Sequence, residues 1–339
     1  MTEAQGASTV STVNEIFPGD GGHPSAPYGL GMRVPMLIVS PWTKGGWVNS
    51  EVFDHTSLIR FLEARFGKDH PELIEPNITP WRRAVAGDLT SAFDFKKPNA
   101  RKVKLPATQA YLPTDLNKDS YAEEAPVPPV DQQLPIQETG VRPARALPYS
   151  LHAHGSAQSG DGSFGIAFGN TGKAGAVFQV RSGDGLFAPR TYTVEPGKQP
   201  SGDWDVAAQG ATDYDLSVYG PNGFFRGFKG GVAAQGRAKL DVQAAYDEQK
   251  GGITLNIVNL AARSARVMIV DNYFGKEIHA QIKSLEAMSK SWRLRGQFGW
   301  YDLTITVEGD AGFEYRLAGH VETGKDSLSD PAMGGLVSP

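Results

Sequence analysis

The chain has 339 residues, 40% of them apolar, and 33 basic against 37 acidic side chains give a formal charge of −4. That balance offers no basic field for nucleic acid, and the length and apolar content suit roughly two or three domains with sizeable cores. The absence of cysteine excludes disulfides, thiolate catalysis and Cys-ligated zinc.

No stretch approaches the roughly 18 apolar residues of a membrane span. The opening residues also lack the basic, apolar and small-residue order of a secretion signal, so the chain as written is expected to stay in the cytoplasm. Forty glycines and 23 prolines predict many turns rather than long helices.

Residues 3–31 read as loop. Arg33-Val34-Pro35-Met36-Leu37-Ile38-Val39-Ser40 then reads as a buried strand of a parallel sheet, which needs neighbours on both sides. Pro35 requires a place there where its missing N–H is harmless. After a turn at Pro41 to Gly46, residues Asn49 to Phe66 read as a helix. Its apolar stripe is Leu58, Ile59, Phe61, Leu62 and Phe66, Asp54 or Thr56 is its cap, and the turn at Gly67 is its end. Trp81 to Phe95 reads as a second, short helical segment with Leu89 and Phe93 inward. Residues 1–100 are thus an α/β remnant.

Residues 101–148 form a proline-rich connector, with Pro106, Pro113, Pro126, Pro128, Pro129, Pro135, Pro143 and Pro148 and the scattered Tyr111 and Tyr121. It either wraps its neighbours or runs free. Two β-rich units follow, at 149–233 and 237–322. Asn170, Trp204, Tyr214 and Phe224 of the first recur as Asn259, Trp292, Tyr301 and Phe313 of the second, at an offset of 87 to 89 residues. Period-two alternation, as in Leu255, Ile257 against Thr254, Asn256, suits half-buried strands. Each unit is read as a small β-sandwich, with Trp204 and Trp292 either in a core or interface or serving as ligand-stacking platforms. Residues 323–339 are a tail expected to fray.

Few groups stand out chemically. Asp54 and His55 sit after a strand and loop at a helix start, a common place for ligands in open α/β sheets. They could bind metal or shuttle a proton; alternatively Asp54 caps the helix and His55 fixes the loop. His152 and His154 alternate along a strand and could hold a metal with a distant carboxylate, or lie on a solvated edge. His23, His70, His279 and His320 stand alone. Asn170-Thr171-Gly172-Lys173 lacks the leading glycine of a phosphate loop and reads as a turn. Lys44 and Arg33 could meet a phosphate as point charges. The aromatic runs Phe224-Phe225-Arg226-Gly227-Phe228 and Trp300-Tyr301 serve either a core or a lipid or carbohydrate surface.

The runs Tyr28-Gly29-Leu30-Gly31-Met32-Arg33-Val34-Pro35-Met36-Leu37-Ile38-Val39-Ser40-Pro41-Trp42 and Val52-Phe53-Asp54-His55-Thr56-Ser57-Leu58-Ile59-Arg60-Phe61-Leu62-Glu63 closely resemble bacterial phospholipase C of the phosphatidylcholine-preferring type. That family is related to bacterial acid phosphatases within the alkaline-phosphatase-like superfamily. Asn77 to Arg83 and Asp88 to Phe95 match it too, and the paired β units resemble its duplicated C-terminal domain.

The resemblance implies an alkaline-phosphatase-like α/β remnant followed by two all-β, sandwich-like domains. It implies hydrolysis of the phosphoester of phosphatidylcholine or sphingomyelin by exported full-length enzymes that use a divalent metal. It places the metal-binding Glu-Asn pair, the nucleophile and an Asp-rich metal motif ahead of the residues present here. Asp54-His55 is a family signature without an assigned role. The expectation is a C-terminal portion that is inactive alone, holds no cofactor itself, and partners phospholipid or the missing N-terminal catalytic portion. The alternatives are a non-catalytic lipid- or partner-binding β module, or a remnant that folds poorly because its sheet lacks strands.

Overall fold

The structure, a computed structural model, describes residues 2–105, 107, 130–133, 138–158, 162–232 and 237–336. The connector prolines 106, 113, 126, 128, 129 and 135, with Tyr111 and Tyr121, lie outside the described residues.

The first hundred residues depart most from expectation. They hold three short strands, β1 (Gly6–Ser8), β2 (Ile16–Phe17) and β3 (Ala26–Pro27), with β2 and β3 paired to each other. Residues 33–40 form no strand, and Val34, Met36, Leu37 and Val39 are exposed. The physical reason is that no described strand lies beside them to complete a ladder.

The first helix, α1 (Thr56–Phe66), begins seven residues later than expected. The backbone before it is engaged elsewhere, with Val52 donating to the Tyr149 hydroxyl at 3.0 Å and accepting from Gly87 N–H at 2.8 Å. The second segment is broken. Helix α2 (Pro80–Val85) has proline at its first position, and the Thr79 hydroxyl accepts from Arg82 N–H. Leu89 then turns left-handed, at φ 67°, before a single 3-10 turn at Thr90–Ala92.

The apolar stripe of α1 also points the unexpected way. Ser57 and Glu63 are buried, while Leu58, Ile59, Leu62 and Phe66 face solvent. Glu63 takes a two-pronged bond from Arg83 of α2, at 2.8 and 3.0 Å, and a third from Glu75 N–H at 2.8 Å. This polar lock sets which side of the helix packs.

Within the last residues of the connector, β4 (Pro143–Ala144) leads into seven strands: β5 (Leu151–Ala157), β6 (Ser163–Asn170), β7 (Ala176–Ser182), β8 (Arg190–Val194), β9 (Ser201–Asp205), β10 (Asp213–Tyr219) and β11 (Phe225–Gly231). Seven more repeat the pattern: β12 (Leu240–Asp247), β13 (Gly252–Asn259), β14 (Ala265–Asp271), β15 (Lys276–Ile282), β16 (Ala287–Arg293), β17 (Trp300–Val307) and β18 (Asp310–His320). In the first copy the three-stranded sheet β5-β6-β9 faces β8-β7-β10-β11; in the second, β12-β13-β16 faces β15-β14-β17-β18. Each is therefore a three-on-four antiparallel sandwich of immunoglobulin-like strand order.

The two larger sheets are fused, because β11 pairs antiparallel with β18. Gly227 faces Arg316, its own counterpart 89 residues on, while Phe225 faces Ala318 and Lys229 faces Glu314. The seam thus has a local two-fold axis, the contact a symmetric dimer would make, built inside one chain. One apolar cluster runs through both copies, including Phe164, Phe178, Trp204, Leu255, Ile257 and Ile305; Trp292 packs against it from a half-buried position. Of the aromatic runs, Phe224, Phe228, Trp300 and Tyr301 are buried and Phe225 is half-buried.

The N-terminal portion is tied to this platform. Strand β1 adds to the edge of β8 in parallel, Gly6 facing Thr191. Trp81 of α2 donates to the buried Thr193 hydroxyl at 2.8 Å. Arg145 gathers three segments, stacking over Trp47 at 4.0 Å, bonding Ala92 carbonyl at 3.4 Å and pairing with Asp326 at 3.3 Å.

The tail does not fray over its described part. β19 (Ser327–Leu328) pairs with β4, and Leu328 carbonyl accepts from the Trp300 indole at 3.0 Å. The free pairing groups of β4 give it a place to dock.

Candidate functional site

Asp54 lies where the loop from Val52 enters α1. Its Oδ1 accepts from Thr56 N–H at 2.8 Å and from the Thr56 hydroxyl at 2.6 Å, so it satisfies the helix start. Its Oδ2 accepts from Arg82 Nη1 at 2.7 Å. The same guanidinium donates to Glu15 through Nε at 3.0 Å and Nη2 at 3.2 Å, and to Gly29 carbonyl at 3.1 Å. Glu15 also accepts from the Thr79 hydroxyl at 2.6 Å.

Burial raises the Asp54 pKa, but the bonds from Thr56 and Arg82 outweigh it and hold the carboxyl below its ordinary value. Two carboxylates therefore converge, yet on a guanidinium. His55 is exposed, and its side chain makes no hydrogen bond among the described residues.

This donor set does not fit a divalent ion, because the carboxylate oxygens are already neutralised by Arg82. Among the described residues there is no group of three or more His, Asp or Glu side chains that could hold a metal. The cluster instead clamps the 13–31 loop to α1 and α2. Arg82 and Glu15 were not singled out from sequence. Arg82 lay within a recognised run, but the contact spans 67 residues and needs the fold to bring it together.

The histidine pair on β5 meets the second sandwich. His154 Nε2 contacts Asp241 of β12, across the edges of the two smaller sheets. That neighbour holds the Asp241 pKa down. His152 packs against the Tyr246 ring at 4.9 Å between centroids and bonds the Thr171 hydroxyl at 3.1 Å. Burial, reinforced by Arg226, lowers its pKa. A distant carboxylate is thus present, as the metal reading required, but only one of the two histidines reaches it. The edge is covered by β12 rather than solvated.

The isolated histidines have local carboxylate partners: Asp20 for His23, Glu72 for His70, Glu277 for His279 and Glu322 for His320. Asn170 stands at a turn, its amide bridging Ala174 and Val194 carbonyls at 2.8 and 2.9 Å.

The seam holds a buried cation, Arg226, which the sequence marks only as part of an aromatic run. Arg226 donates to the hydroxyls of Tyr246 at 2.5 Å and Tyr301 at 2.9 Å, and to the carbonyls of Phe225 and Ala318. The two-fold maps Arg226 onto Tyr315 and Tyr301 onto Tyr214, and those two hydroxyls meet at 3.1 Å. A buried bond therefore occurs on both sides of the axis, Arg–Tyr on one and Tyr–Tyr on the other. Arg226, Tyr301, Tyr214 and Tyr315 are all buried, so both bonds are structural.

Comparisons with known proteins bear on these features. A family model described as bacterial phospholipase C, C-terminal domain, matches residues 143–231 and again 240–320. One for the phosphoesterase family matches residues 4–68. A non-hemolytic phospholipase C of Burkholderia pseudomallei (strain K96243) is 48% identical over 336 residues, covering 98% of this chain and 47% of that protein. A non-hemolytic phospholipase C of Pseudomonas aeruginosa is 42% identical, covering 93% of this chain and 46% of that protein. A hemolytic phospholipase C of the same organism is 39% identical, covering 97% and 48%. The chain spans about half the length of the curated relatives it matches.

Proposed function

This chain belongs to the bacterial phospholipase C family defined by its C-terminal domain, and from that premise we propose that it is the C-terminal portion of a phospholipase C. The observation that carries the reading is the order of the matches, a phosphoesterase segment followed by two copies of the C-terminal domain in a chain spanning about half of each relative. Residues 1–100 are then the remnant of an alkaline-phosphatase-like catalytic domain, and the fused sandwiches are the platform it rests on.

In this reading the whole enzyme hydrolyses the phosphoester of phosphatidylcholine or sphingomyelin, uses a divalent metal and is exported. This portion is inactive alone. Phosphoryl transfer needs a nucleophile aligned with charge-stabilising groups, and Asp54, the sequence candidate, is bound to Arg82 and Thr56. The residues present serve to hold and orient the catalytic portion. The rival reading, a free-standing lipid-binding β module, loses support because Phe224, Phe228, Trp300 and Tyr301 are buried.

The test is release of phosphocholine from phosphatidylcholine and sphingomyelin, with divalent metal added. The expected result is none from this chain alone, and hydrolysis when it is co-expressed with the part of the Burkholderia pseudomallei relative that it does not match. Hydrolysis by the chain alone would overturn the proposal.

A further inference from the structure

The N-terminal portion displays its apolar side chains outward in two places. Along residues 33–40, Val34, Leu37 and Val39 are 68%, 91% and 94% exposed. On α1, Leu58, Ile59, Leu62 and Phe66 form one exposed face. Trp42 and Phe95 extend the surface, their half-exposed rings linked to Phe93 and Phe61 by centroid distances of 5.1 to 5.9 Å. An apolar surface of this kind marks an interface.

The backbone narrows the occupant. Among the described residues, the peptide groups of residues 33–37 make no hydrogen bond, and Ile38 carbonyl accepts only from the Thr43 hydroxyl at 2.8 Å. In an extended chain, Val34 and Met36 fall on one face and Leu37 and Val39 on the other. A segment apolar on both faces with free pairing groups on both edges has the pattern of an interior strand of a parallel sheet. A lipid surface would cover the side chains but leave those groups unpaired, which is costly in hydrocarbon. A second copy could add one strand, but two strands alone leave both apolar faces bare. Pro35 lies near the start of the segment, where a missing donor is tolerated.

We infer that residues 33–40 and the outer face of α1 are one docking surface, on which 33–40 becomes a β-strand within the parallel sheet of the phosphoesterase portion and α1 covers that sheet. A strand followed by a helix is the repeating unit of such a sheet. The inference rests on the proposed function, since it takes the unmatched part of the relatives as the source of the neighbouring strands. The polar lock of Glu63 on Arg83 has a purpose in this arrangement: it presents the apolar face of α1 outward, ready for the partner.

Hydrogen–deuterium exchange tests it, on the full chain alone, co-purified with the unmatched part of the Burkholderia pseudomallei relative, and mixed with phosphatidylcholine vesicles. The amides of residues 34–39 are expected to exchange freely in the chain alone and about 100-fold or more slowly in the complex. The double variant Leu37→Asp, Leu62→Asp is expected to abolish the complex while leaving the urea midpoint of the chain alone unchanged, because both side chains are already in solvent.

A complex that hydrolyses lipid but leaves these amides unprotected, or that forms equally well with the double variant, overturns this inference and leaves the proposed function standing. Protection by vesicles, or by raising the concentration of the chain alone, also overturns it, in favour of a membrane or a second copy. Absence of both complex and hydrolysis overturns the two together.

Discussion

Asn170 and Asn259 occupy the same place in the two copies, and their bonds explain why the residue recurs. Asn259 donates to the carbonyls of Arg263, Ile282 and Lys283 at 2.7 to 3.2 Å, and its Oδ1 accepts from Ala261 N–H at 3.0 Å. Asn170 does the same with Ala174, Val194 and Gly172. Each ties the end of one sheet to strands of the other. Replacing Asn259 with alanine strands buried carbonyls, and is expected to cost about 3 kcal/mol, read as a lower urea midpoint.

Asp54 makes a second prediction, about pH. Its pKa is lower in the fold than in the open chain, so its contribution is full above the ordinary carboxylate value and fades as pH falls through the folded value. Asp54→Asn is expected to lose about 2 kcal/mol at pH 7 and to converge on the parent protein as the pH falls below the ordinary carboxylate value and through the lower folded one, in urea titrations across the acid range. Glu51 acts in the opposite sense. Burial raises its pKa, so its ionised form costs stability at neutral pH and that cost eases on acidification. At this scale the recurrence of Asn170 and Asn259 is legible from the sequence, but the roles of Arg82 and Asp241 are not, because their partners are distant in the chain.

Among the elements, β1 and α1 show how context overrides pattern. β1 is only three residues long and carries no strand signature, yet it seals the β8 edge, which would otherwise be open to pairing with another chain. Gly6 makes this possible. Its φ is 115°, and a Cβ there would lie 1.9 Å from Thr191 carbonyl oxygen. Gly6→Val is expected to detach β1 and to speed exchange at the amides of residues 190–194, while the sandwiches stay folded. The far edge of the same sheet, β15, carries Lys276 and Glu277 instead, charges that discourage pairing. For α1, the spacing of Leu58, Ile59, Leu62 and Phe66 correctly marks an apolar face, but spacing cannot say whether the covering partner is present. Residues 33–40 fail as a strand for the same reason.

Across the whole molecule, the continuous nine-stranded sheet and shared core make the two sandwiches one unit. Calorimetry is expected to record one unfolding transition for both copies. Arg226→Ala, which opens a cavity at the seam and leaves Tyr246 and Tyr301 hydroxyls without their donor, is expected to cost about 3 to 5 kcal/mol and to separate the copies into two transitions. Such a seam places the platform under the N-terminal portion as a rigid body, anchored through β1, Trp81 and Arg145.

The sequence by itself determined the duplication and the β character of each copy, because alternation and recurring landmarks are local or periodic properties of the chain, and it pointed to the family through the resemblance of the contiguous runs Tyr28 to Trp42 and Val52 to Glu63. Only the tertiary structure decided that the copies join as a pseudo-two-fold pair, that Asp54 is held by Arg82, that the tail docks, and that the apolar face of α1 looks outward. Those outcomes depend on which distant groups reach one another first to satisfy buried charge and backbone, and no window of neighbouring residues contains that information.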